Sequence, residues 1–61
     1  MTIDKARKIK VGDRVHPRDF NGFVVDKIEI KHDAAYMHEF IYFSGTTDKG
    51  IRVAYDHKKL V

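Results

Sequence analysis

A small all-β domain, a barrel or sandwich of short strands, is the fold that these 61 residues predict. Three observations lead there. Turn-forming residues punctuate the chain at Gly12-Asp13, Pro17 to Gly22, His32-Asp33, Gly45 and Gly50, about ten positions apart. β-Branched and aromatic residues gather between those points, above all in residues 23–31 and 40–43. The length admits one domain whose core must use nearly every large apolar side chain, and with no cysteine there is no disulfide to support it.

Each element follows from local chemistry. Residues 1–8 lack a sustained apolar period and read as a flexible basic arm with at most a short helical turn. Ile9, Val11 and Val15 flank Gly12-Asp13, which predicts a strand entering through a tight turn and ending at Pro17, where the ladder loses a donor. Asn21-Gly22 predicts a left-handed turn before the next strand. Residues 23–31 are the clearest strand. Val24, Ile28 and Ile30 share one parity, Phe23 and Val25 break it, and Asp26 falls on the apolar parity, so a bulge near Asp26-Lys27 is expected.

Residues 33–43 admit two readings. Asp33 followed by Ala34, Ala35, Met37 and Glu39 suits a capped helix. The run Phe40-Ile41-Tyr42-Phe43 favours a strand from about Tyr36 to Ser44, paired as a hairpin with 23–31, and this is the reading adopted. On it Phe43, Ile41, Glu39 and Met37 share the core parity, while Tyr36, Phe40 and Tyr42 face the other way. Gly45 to Lys49 reads as a polar turn, residues 50–54 as a strand with Ile51 and Val53 inward, and residues 55–58 as one helical turn. Leu60 and Val61 are expected to form a fifth, closing strand.

Charge is unevenly spread. The first 18 residues hold Lys5, Arg7, Lys8, Lys10, Arg14 and Arg18 against Asp4 and Asp13. Residues 19–50 are acidic, and the tail is basic again through Arg52, Lys58 and Lys59. No apolar run approaches the length of a membrane span, and the N-terminal residues lack the apolar stretch of a secretory signal, so a soluble cytoplasmic protein is expected.

The segment Val11-Gly12-Asp13-Arg14-Val15-His16-Pro17, followed by Phe20-Asn21-Gly22-Phe23-Val24-Val25-Asp26-Lys27-Ile28, resembles the opening of the Tudor-like domain at the C-terminus of UvrD/PcrA-type helicases, with similar openings in CarD and KOW modules. Phe43, Gly50-Ile51-Arg52-Val53 and Leu60 are similar to that family's closing half; Phe20-Asn21-Gly22 departs from its Phe-Gly-x-Gly loop, and residues 30–44 have no counterpart. The resemblance implies a five-stranded SH3-like barrel of the Tudor or KOW type over residues 9–61, preceded by the basic arm. It also implies docking onto a protein partner of transcription or other nucleic-acid machinery.

Chemistry is sparse. The histidines, His16, His32, His38 and His57, lack metal-helix spacing; His32 and His38 lie near one hairpin tip, but surface positions are expected for the histidines. Ser44 and the threonines Thr2, Thr46 and Thr47 sit in no nucleophile or phosphate-loop motif. No catalysis, metal or cofactor is therefore expected. The protein-docking reading uses Tyr36, Phe40, Tyr42 and Tyr55 as its contact row. The alternative is direct nucleic-acid binding, with Lys5, Arg7, Lys8, Lys10, Arg14 and Arg18 on phosphates and the tyrosines stacked on bases; the acidic middle counts against it. A monomer or weak homodimer is expected, because so small a core gains from association.

Overall fold

The computed structural model describes residues 1–19, 21–33, 35 and 38–61. Among them four antiparallel strands, β1 (Arg14–Val15), β2 (Phe23–Asp33), β3 (His38–Thr47) and β4 (Arg52–Asp56), hydrogen-bond in sequence order and curl into a half-barrel. A helical turn, α1 (Ile3–Ala6), precedes them, and a 3₁₀ turn, η1 (His57–Lys59), follows.

The curl comes from one extra residue. Val25 pairs with Gly45 and Lys27 with Ser44, so Asp26 is bulged out of the β2 ladder at the place the apolar pattern predicts. The bulge exchanges the faces of the strand. Phe23 and Val25 point inward before it; after it Ile28 faces inward with its partner Phe43, and Ile30, on the same parity opposite Ile41, is exposed. Val24, expected on the same parity as Ile28, therefore lies on the outer face and is exposed. The bidentate bond that Arg52 of β4 donates to Asp26, at 2.6 and 3.0 Å, reaches across β3 and clamps the bulge.

The concave side is filled by Val15, Phe23, Val25, Ile41, Phe43, Leu60 and Ala6, with Ile3, Ile9, Ile28, Val53 and Tyr55 packed against them. Residues 1–8, expected as an arm, contribute α1. Thr2 caps it through its side-chain oxygen, Ala6 is buried against the core, and the Met1 amino group donates to the Leu60 carbonyl.

Several expectations need correction. The closing fifth strand is absent among the described residues. Asp56 accepts from the Lys58 and Lys59 amides and turns the chain into η1, leaving only Leu60 to form an isolated bridge with Pro17. The bonds Val61 N–H to His16 C=O and Arg18 N–H to Lys59 C=O flank that bridge. The helical turn expected at 55–58 starts later, because Tyr55 and Asp56 belong to β4. The turn expected at Gly45–Lys49 also lies further on: β3 runs to Thr47, and the chain reverses through Asp48–Gly50, with Gly50 at φ +80°. Gly12, at φ +99°, makes the expected first turn, but Gly22 has no positive φ. Its missing side chain serves another purpose, since a Cβ there would lie 2.3 Å from the Val15 carbonyl oxygen. Ile51 lies before β4 and is exposed rather than inward. His57, expected at the surface, is 5% exposed. Its Nδ1 accepts the Ile41 amide at 3.3 Å just where β4 stops pairing. The 33–43 helix-or-strand alternative is answered from His38 onward, where the chain is strand; Tyr36 and Met37 lie outside the described residues.

Candidate binding surface

The outer face of the sheet is organised by β3. Because Ile41 and Phe43 point into the core, Phe40 and Tyr42 point out, as their parity predicts, and lie partly buried side by side with ring centroids 6.4 Å apart. The His57 ring packs beside Phe40 at 6.1 Å, so the buried histidine that completes the β3 backbone also props the first ring. Lys31, opposite Phe40 in the register, places its Nζ 5.0 Å from the Tyr42 ring centre. Lys58 of η1 places its Nζ 4.7 Å from that of Phe40. Lysine, tyrosine, phenylalanine and lysine thus form one continuous strip.

Tyr55 does not join it. Its register partner is Phe43, so it takes the inner face and stacks on Phe23 at 5.9 Å. Its exposed edge instead lines a second feature, a cleft of about 340 Å³ with Pro17, Arg18, Asp19, Lys58 and Lys59. A third concavity, about 320 Å³, lies at the other end of β4, between Asn21-Gly22 and residues 47–53, with Ile51 and Val53 among its lining residues. Tyr36 is outside the described residues.

The predicted basic residues divide into two groups. Arg7 donates to Glu39 at 2.6 Å, and Arg14 makes a bidentate pair with Asp48 at 2.9 and 3.2 Å. Both guanidiniums are engaged inside the molecule. Lys5, Lys8, Lys10 and Arg18 are exposed and carry no ion pair among the described residues. From the sequence Lys58 and Lys59 read as tail charge, and nothing there marks Lys31 as an interface residue. Lys31 meets the rings only through the β2–β3 register, and Lys58 only through the turn that follows β4.

The acidic middle is largely matched within the fold. Asp26 pairs with Arg52, Glu29 with Lys27, Glu39 with Arg7 and Asp48 with Arg14. The hydrogen bonds from these cations, chiefly, hold all four carboxyls below the ordinary carboxylate range. A depressed carboxyl stabilises the fold above its unfolded value and loses that contribution as pH falls through the folded one. Thermal melts at low salt should therefore show a falling Tm between about pH 5 and pH 2. Glu39→Gln should flatten the slope, and added salt should shrink it because every pair is exposed. A Tm independent of pH in that window would contradict the pairing.

Among the described residues no group of three potential ligands could hold a metal ion, and no helix is long and apolar enough to cross a membrane. No protein-family model, curated protein or solved structure matches the chain.

Proposed function

We propose that this chain is a non-catalytic nucleic-acid-binding module, built as a small SH3-like barrel of the Tudor or KOW type and acting in the cytoplasm as a monomer or weak homodimer. The observation that carries it is the strip Lys31–Tyr42–Phe40–Lys58, where one cation lies over each ring of an adjacent aromatic pair. Two kinds of group are needed to hold a nucleic-acid strand: charge for phosphates and flat apolar rings for bases. The strip offers both. Glu29 and Asp56 stand opposite Tyr42 in the register, but Lys27 holds the first and the η1 amides the second. The charge objection raised by the acidic middle weakens because four of its six carboxylates are matched by Arg7, Arg14, Lys27 and Arg52.

Resting lysines on the rings do not block this use. A cation–ring contact at an exposed site is worth about 0.5–1 kcal/mol, and a base stacked on a ring about 1–3 kcal/mol. A strand therefore gains by displacing each lysine from its ring toward a phosphate. Docking onto a protein of nucleic-acid machinery is the second reading. Its support is the separate groove at Ile51 and Val53, beside exposed apolar surface.

Oligonucleotide titration followed by amide NMR should move resonances of Lys31, Phe40, Tyr42 and Lys58, with affinity falling as salt rises. Lys31→Gln with Lys58→Gln should weaken binding and make the slope of log K against log[salt] shallower by about 1.4 for a single strand, at roughly 0.7 per phosphate. Binding absent at low salt would overturn the reading and leave protein docking in its place.

A further inference from the structure

The cleft between residues 17–19 and η1 concentrates positive charge that no carboxylate of the described residues pairs. Arg18, Lys58 and Lys59 line it together with a single carboxylate, Asp19, and none of the three cations has an ion pair among the described residues. Asp56, which precedes η1, is occupied: its carboxylate accepts the Lys58 and Lys59 amides at 2.9 and 3.2 Å. The two walls are held in register by backbone bonds rather than by side chains. The Pro17–Leu60 bridge and the flanking bonds at 3.3 and 2.8 Å fix Arg18 against Lys59. The partly buried Tyr55, seated on Phe23, forms the aromatic wall. Lys58 belongs to both features, since it lines the cleft and lies over Phe40. The cleft is thus continuous with the outer-face strip.

We infer that this cleft is a phosphate-binding site for the backbone of single-stranded nucleic acid, and that the strand runs from it along Phe40 and Tyr42 to Lys31. The inference rests on the nucleic-acid reading and adds the site, its residues and the form of the ligand. Single strands are chosen because the rings lie in a sheet face: they can stack only on bases whose faces are open, and a duplex keeps those faces inside its own stack. Four cations, Arg18, Lys31, Lys58 and Lys59, then meet phosphates, two contributed by the cleft alone.

Fluorescence anisotropy with a labelled oligothymidylate of about 12 nucleotides, within the span of a small barrel site, tests this. The wild-type slope of log K against log[salt] should be about −2.8, which is roughly a 50-fold loss between about 50 and 200 mM salt. Arg18→Gln with Lys59→Gln should halve that slope. Both residues are exposed, and an unchanged amide NMR spectrum outside the cleft verifies the fold. Duplex of the same length should bind at least tenfold more weakly. If oligothymidylate binds but the double variant leaves slope and affinity unchanged, the cleft assignment falls and the nucleic-acid reading stands. Equal affinity for duplex overturns the choice of single strands. Competition by a nucleoside triphosphate or polyglutamate as effective as the oligonucleotide overturns it in favour of a free anion or an acidic peptide. No binding to any nucleic acid overturns the inference and the reading beneath it together.

Discussion

Replacing Gly45 with alanine is expected to leave the domain unfolded at room temperature. Gly45 is buried in the middle of β3, opposite Val25 and next to the bulge. A Cβ there would lie 1.9 Å from the Val24 carbonyl oxygen, 2.8 Å from its carbonyl carbon and 2.6 Å from Phe23 Cδ2. Two of those atoms are backbone, so relief requires β2 and β3 to separate, with loss of ladder bonds and of the Phe23 packing. The cost should exceed about 4 kcal/mol, the exceptional end for a single substitution. A single core of this size supplies only about 3–5 kcal/mol in total. Gly50→Ala is the matched control. It strains a positive φ but meets open space, so it should cost only about 1–2 kcal/mol and leave a folded protein. Circular dichroism and urea titration of the two variants separate the cases, and a cooperative, near-native transition for Gly45→Ala would refute the close approach.

Phe43→Ala is the second large effect. Phe43 is fully buried at the middle of β3, with Ile28 on one side and Tyr55 on the other. Truncating a core phenylalanine costs about 3–5 kcal/mol through lost burial and the cavity left behind. That again matches the whole stability of so small a core. Phe43→Leu retains most of the apolar volume and should stay folded with a lower urea midpoint. Tyr42→Ala, one residue away on the outer face, should lose far less. The contrast measures the face assignment directly: comparable losses at 42 and 43 would show that β3 does not alternate as described.

The parts of this fold that depend on neighbouring residues were legible in the sequence. Phe40 and Tyr42 against Ile41 and Phe43 is a period-two pattern, and it predicted both the core and the outward row. The bulge was legible because Phe23 and Val25 fall out of phase with Ile28 and Ile30 across Asp26. What depends on distant residues was not. Glycine in a sequence reads as punctuation, so Gly45 suggested a turn, while its actual role is to let the Val24 backbone approach. His57 owes its burial to an amide 16 positions earlier. The Arg14–Asp48 and Arg52–Asp26 pairs join residues 34 and 26 positions apart, which is why the middle of the chain read as uncompensated acid. Of the basic residues expected at an interface, Arg18 lines the cleft, while Arg7 and Arg14 serve the fold. Lys58 and Lys59 acquire their setting only from the turn that Asp56 caps.

The extra residue at Asp26 also constrains how the length of this chain can vary. β2 is written in two phases, odd positions inward before the bulge and even positions inward after it. Deleting Asp26 alone would make the ladder continuous and keep Phe23, Val25, Ile28 and Ile30 on one face, and what would be lost is the local curl and the partner of Arg52. A single insertion or deletion elsewhere in β2 would instead turn the residues that follow it to the opposite face. Related sequences that keep this fold should accordingly drop the bulged residue alone, change the length of β2 by two residues at a time, or move the bulge together with its acidic residue and the arginine that meets it from β4.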